Sequence, residues 1–197
     1  GLVPGAGGRD VEGILAGCEK GEIAAVYLLG ADEIDMKRLG KAFVIYQGHH
    51  GDAGAHRADV ILPGAAYPEK SGLFVNTEGR VQMSNRATFP PGDAREDWAI
   101  LRALSEQLVH KLPYDSLNAL RAAIFKAHPH LQRIDQIAPG EASSIRELAG
   151  RAGTPDKAPF LPAIDDFYLT NAIARASATM AECSALAESR TTMTAAE

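Results

Sequence analysis

Apolar and polar positions alternate along this chain in a way that separates strands from helices. Ile23 to Leu29 is an unbroken apolar run with turn signals on both sides, the pattern of a strand buried on both faces. Ala42–Tyr46 predicts a second buried strand and Asp59–Leu62 a third, closed by Pro63. Ahead of the first strand, Val11, Ile14, Leu15 and Cys18 make a helical stripe, with Asp10 as its cap and Gly21 as its stop. Gly30–Glu33 is a loop, and a short helix through Met36 and Leu39 ends at Gly40. Strands alternating with crossovers predict an α/β fold, a mostly parallel Rossmann-like sheet with flanking helices.

Further along, Leu73–Val75 and Val81–Met83 flank Asn76-Thr-Glu-Gly-Arg80, a small β-hairpin excursion in which Gly79 supplies the positive φ of the turn. Past Pro90-Pro91, Asp93 stands three residues before Glu96, a capping-box spacing. It predicts a helix striped by Trp98, Leu101, Leu104/Ser105 and Leu108, ending before Pro113. Ser116–Ala127 predicts another helix, with Leu117, Leu120 and Ile124 on one face. Residues 138–163 carry Pro, Gly, Ala and Ser and read as linker with one helical turn at Ile145–Leu148. A last amphipathic helix starts near Thr170 and places Ile173, Ser177, Met180 and Ser184 one turn apart. The chain thus divides into an α/β domain over 1–137, a linker over 138–163 and a C-terminal tail with one helix over 164–197. Phe167, Tyr168, Ile173 and Met180 give that tail an apolar face expected to pack on the α/β body or on a partner.

Composition narrows the function. The 197 residues are 46% hydrophobic and 23% charged, with a net charge of −5. With no Lys/Arg cluster, nucleic acid is an unsuitable partner. The longest apolar run is far short of the ~20 residues that cross a bilayer, so no direct membrane insertion is expected. The two cysteines, Cys18 and Cys183, lack CxxC spacing and are too few for a disulfide scaffold, a four-thiolate zinc site or a self-contained iron–sulfur cluster. Gly1-Leu-Val-Pro-Gly is loop-like and predicts that the chain is the C-terminal part of something longer, with a frayed end at Thr191–Glu197.

Chemistry concentrates in Gln47-Gly-His-His-Gly-Asp-Ala-Gly-Ala-His-Arg57, at the carboxyl end of a predicted strand, where open α/β sheets bind ligands. His49, His50, Asp52 and His56 are the candidate metal ligands. Their spacing does not favour a metal: no histidine pair is three or four apart on a helix, and adjacent histidines on an extended chain point in opposite directions. The expectation is a turn-rich loop without metal, with no catalytic and no cofactor-binding residue. Gly5-Ala-Gly-Gly8 lacks the full GxGxxG fingerprint and reads as a tight turn. Glu69, Lys70, Glu78 and Arg80 read as a solvated or salt-bridged face.

As a set, the blocks say more. Tyr46-Gln-Gly-His-His-Gly-Asp52, Ala58-Asp-Val-Ile-Leu-Pro-Gly-Ala-Ala-Tyr67, Glu69-Lys70, Val75-Asn-Thr-Glu-Gly-Arg80 and Ala94-Arg-Glu-Asp-Trp98 occur in that order. They resemble the C-terminal part of the large iron–sulfur subunit (the 75-kilodalton subunit in mitochondria) of NADH:quinone oxidoreductase, respiratory complex I. Asp166-Phe-Tyr-Leu-Thr170 and Arg175–Cys183 resemble the tail of the same subunit. Ala-Asp-Val-Ile-Leu-Pro and Asn-Thr-Glu-Gly-Arg recur more widely in molybdopterin oxidoreductases, which leaves a molybdopterin-dependent oxidoreductase as the alternative. The resemblance implies a non-catalytic, molybdopterin-oxidoreductase-like scaffold domain without its pterin. It implies iron–sulfur clusters only upstream of this chain, and other peripheral-arm subunits as partners. The location it implies is the cytoplasmic face of the bacterial inner membrane, towards which the Ala-rich composition points, or the mitochondrial matrix side.

Overall fold

The computed structural model describes residues 7–137, 139–150, 153 and 157–194. Residues 1–6 and 195–197, parts of the glycine-rich start and of the expected frayed end, lie outside the described residues, as do several positions of the expected linker.

Helix α1 (Val11–Glu19) starts where the Asp10 side chain accepts the Gly13 N–H. It closes at Gly21, which holds φ +73°. Strands β1 (Ala25–Leu29), β2 (Phe43–Gly48) and β3 (Val60–Pro63) form a parallel sheet in the order β1-β2-β3. Tyr27 lies beside Ile45, and Ile45 beside Val60. A 3-10 turn, Met36–Leu39, links the first two strands, and helix α2 (Ala53–Arg57) the second two. Leu28, Val44 and Tyr46 pack with Leu15, Cys18 and Leu39 into the core.

One face of this sheet carries the core, and the other is closed off only around Gln47. Leu29, Phe43 and Val60, in alternate register to the core residues, are 49%, 47% and 40% exposed. The sequence predicted three strands buried on both faces. That picture suits none of them fully, because β1 and β3 are edge strands and the elements that cover the sheet, α1 and the Met36–Leu39 turn, share one side.

The antiparallel hairpin of β4 (Gly72–Val75) and β5 (Val81–Ser84) turns at Gly79, φ +84°. Helix α3 (Asp97–Gln107) is capped at Glu96, three residues later than the cap expected at Asp93. Ala94 and Arg95 are held extended instead: the Arg95 N–H donates to Pro63 O and its carbonyl accepts from Ala65 N. That bridge to the end of β3 rules out a helix at Asp93 and leaves Glu96 without a capping-box role. Helix α4 (Leu117–Ala127) starts at the Ser116 cap, as expected. The expected single turn near Ile145 is an eight-residue helix, α5 (Ala142–Ala149). The tail has two helices, α6 (Ala172–Arg175), capped by Asn171 and not Thr170, and α7 (Ala178–Thr194). No helix among the described residues is long and apolar enough to cross a membrane.

Candidate functional site

At the carboxyl ends of β1 and β2 the structure places a cleft of about 640 Å³. Its floor is the sheet end, at Gly30, Tyr46 and Gly48, and its far wall is the tail, from Asn171 to Met180. The loop after β1 contributes Asp32, the side chain of which is 6% exposed, and Glu33. Asp32 accepts the Gly54 N–H at 3.2 Å. Helix α2 can lie this close because Gly54 has no Cβ: one built there would stand 2.7 Å from Asp32 Cβ and 2.8 Å from Tyr46 Cδ2.

Into this acidic corner comes Arg175, 123 residues downstream of Asp52. Its Nε donates to Asp52 Oδ2, its Nη2 lies 3.5 Å from Asp32 Oδ1, and its Nη1 lies 3.4 Å from Glu33 Oε1. Nη1 also donates to the Leu169 carbonyl at 3.4 Å. The hydrogen bond from Arg175 holds the Asp52 carboxyl below its ordinary value, and the same bond raises the guanidinium. The sequence offered Asp52 as a metal candidate. In the structure it caps α2, accepting the Ala53 N–H, and pairs with Arg175.

The other candidates are not brought together around one point, and the described residues contain no group of three or more His, Cys, Asp or Glu side chains able to hold a metal ion. His56 is exposed in the last turn of α2. His49 and His50 differ from expectation. The chain bends after β2, so the two rings meet edge to face, with Nδ1 atoms 2.6 Å apart. One nitrogen must donate and the other accept, which sets the pair's tautomers. Desolvation, then His50 and Lys70, hold His49 below the ordinary imidazole value. Arg57, the loop's other cation, is committed to the fold: it donates to the carbonyls of Gly40 and Ala42 and lies 3.5 Å from Asp59.

A second cluster went unseen in the sequence. Gln47 is 0% exposed. Its Oε1 accepts from Tyr27 Oη and its Nε2 donates to Asp97 Oδ1 at 2.8 Å. Lys70 pairs with the other oxygen of Asp97. The presumed charged face around the hairpin therefore divides: Glu69 caps Ala66, Lys70 joins the Gln47 cluster, and Glu78 and Arg80 pair with each other at 3.7 Å. Neither cysteine is placed as a cluster ligand. Cys18 is in the core, and Cys183 is part-exposed on α7.

The Asp52–Arg175 contact predicts acid sensitivity. A carboxyl with a depressed folded value adds stability above its ordinary value, and that stability is lost as pH falls through the folded value. Melting temperature should therefore drop below about pH 3.8, the ordinary Asp value. Thermal scans of the chain and of Asp52→Asn check this: the variant should start lower at pH 7 and lose less on acidification.

The sequence profile of the molybdopterin oxidoreductase family matches residues 8–107, half of the chain. The chain belongs to that family. A second profile, the C-terminal region of the G-type subunit of NADH-ubiquinone oxidoreductase, matches residues 136–183. This molybdopterin oxidoreductase family member is 53% identical, over 80% of its length, to the NADH-ubiquinone oxidoreductase 78 kDa subunit, mitochondrial, of Candida albicans. It is 49% identical, over 82% of its length, both to the 75 kDa subunit of Reclinomonas americana and to the mitochondrial iron-sulfur protein 1 of Solanum tuberosum. The resemblance read from the sequence blocks and the tail is borne out. The chain spans 23%, 23% and 22% of those three relatives. Among solved structures, acetylene hydratase from Pelobacter acetylenicus covers 53% of this chain and 17% of its own, at 17% identity and TM-score 0.45.

Proposed function

We propose that the chain is a scaffold domain of the large iron–sulfur subunit of NADH:quinone oxidoreductase. In this reading the clusters that carry electrons from NADH towards quinone sit elsewhere in the subunit. The domain would sit in the peripheral arm, against neighbouring subunits, on the cytoplasmic face of a bacterial inner membrane or the equivalent matrix side. The kinship with 75 and 78 kDa subunits supports the assembly. The observation that supports the scaffold role is the acidic lining of the strand-end cleft, where Arg175 is already paired with Asp32, Glu33 and Asp52.

A pterin dinucleotide is a large anion, and a site for it needs N–H nests and free cations. Here the strand ends offer Asp32, Glu33 and Asp52, and Arg175 is already engaged by all three. Arg57 is turned to backbone carbonyls. These residues do not fit the anion that the family name implies, and the tail stands where it would approach. Molybdenum and tungsten measured by mass spectrometry on the intact assembly, with pterin fluorescence after acid extraction, should be at background. About one metal per subunit would overturn the scaffold role in favour of a pterin enzyme.

A further inference from the structure

Two imidazoles converge at the end of β2. The strand closes at Gly48 and α2 opens at the Asp52 cap, so His49, His50 and Gly51 make the whole connection. Tyr46 Oη donates to the His50 carbonyl at 2.8 Å and holds that connection back over the strand end. Gly48 permits this, because a Cβ there would collide with the Tyr46 phenol. The bend removes the objection that consecutive side chains on an extended chain point apart. The two rings stand edge to face, with their Nδ1 atoms 2.6 Å apart.

A pair of converging ring nitrogens is a donor set for a borderline d-block cation. Imidazole coordinates through the lone pair of its unprotonated nitrogen. The neutral pair can therefore turn both Nδ1 lone pairs on one ion by moving a single proton to Nε2, with no net loss of protons. Desolvation, His50 and Lys70 favour the neutral His49 ring, with Asp97 and Glu69 acting the other way.

The spacing selects among metals. Two nitrogens each about 2.0 Å from a metal stand about 2.8 Å apart at the right angle of a square plane and about 3.3 Å apart in a tetrahedron. The 2.6 Å separation needs a small opening for the first and a larger one for the second. The surrounding carboxylates are committed elsewhere: Asp52 to α2 and Arg175, Asp97 to Lys70, and Glu69 to the Ala66 N–H. Charge still favours a cation, because the strand ends, where His49 lines the cleft, set Asp32, Glu33 and Asp52 against Arg175.

We propose that His49 and His50 form a two-imidazole site for a divalent d-block cation of square-planar habit, copper(II) above zinc(II), with water in the remaining positions. Copper also stands above zinc in intrinsic affinity for nitrogen donors. With two protein ligands this is an open site and not a structural one. It does not depend on the scaffold reading: background molybdenum and tungsten bear on that reading and leave this one untouched.

Electron paramagnetic resonance tests it, with copper(II) added at no more than one equivalent to the oxidised, tag-free full-length subunit in its assembly. The expected spectrum is axial and coupled to two imidazole nitrogens. Affinity should fall by roughly tenfold or more in His49→Gln and in His50→Gln, since losing even an outer-shell partner of a metal costs that much. His56→Gln should keep it, and zinc(II) should displace the copper only in large excess. Unchanged melting of the metal-free variants separates lost coordination from lost folding. If a variant melts lower, isotope-labelled histidine in the parent protein counts the coordinated rings directly. Copper held equally by the parent and both variants, coupling to one ring or none, or zinc held as tightly as copper would overturn the proposal.

Discussion

Gln47→Ala should destabilise this chain by about 3 kcal/mol, the largest effect expected of any single truncation near the strand ends. Two effects add. The side chain is fully buried, and shortening it leaves part-buried Tyr27 Oη without its acceptor and Asp97 Oδ1 without its donor; a fully buried unsatisfied group costs ~1–3 kcal/mol, and partial solvent access puts this pair in the lower half of that range. The vacated volume adds about 1–2 kcal/mol, in line with modest core truncations. Gln47→Leu separates them by keeping volume and losing hydrogen bonds. Gln47→Glu should be worst, because it sets a second carboxylate against Asp97 where only 2.8 Å now separates amide and acid. Urea denaturation at unchanged m reads all three. A loss under 1 kcal/mol for Gln47→Ala would mean that the cluster does not hold β2 to α3.

The second large effect is expected at Arg175. Arg175→Ala leaves Asp32 nearly buried with the Gly54 N–H as its remaining partner, and frees Asp52 and Glu33. Removing one partner of a fully buried pair costs ~3–5 kcal/mol; with Arg175 and Asp52 about a quarter exposed, solvent reduces this to about 2 kcal/mol. The readout beyond stability is local. Limited proteolysis should cut between Thr170 and Met180 in the variant while the sheet stays protected. Arg175→Lys should rescue little, since a single ammonium cannot engage Asp52, Asp32 and Glu33 together. If the tail stayed as protease-resistant as in the parent chain, the guanidinium would not be what seats it.

Much of this architecture can be read from residues with strictly local jobs. Asp10 before an apolar stripe, Gly21 after it, Gly79 in the hairpin and Ser116 ahead of α4 each act within a few positions, and each does in the structure what its chemistry demands. What could not be read depends on partners far away in sequence. Asp93 has the spacing of a cap, yet a bridge between Arg95 and Pro63–Ala65 keeps the chain extended there. His49 and His50 sit where a strand should splay them, but the bend after Gly48 turns them together. Gln47 looks like one polar residue at a strand end, and nothing local announces that Tyr27 and Asp97 will enclose it. The tail was expected to pack through Phe167, Tyr168, Ile173 and Met180. Phe167 is 77% exposed, while Ile173 and Met180 line the strand-end cleft beside Arg175, whose ion pairs with the body no local pattern announced.

The separation between Asp52 and Arg175 also sets an order of events. Neighbouring strands of the sheet pair residues 18 positions apart, as Ala25 with Phe43, or 15, as Ile45 with Val60. These are short loops to close. The tail contact closes a loop of 123 residues, for which the entropy must be met before any contact rewards it. The sheet is thus a platform that forms first, and the arginine is a late arrival that finds its three carboxylates already assembled. Between those two moments the strand ends lack their far wall, and the arrival of the tail is what turns an open sheet end into a cleft.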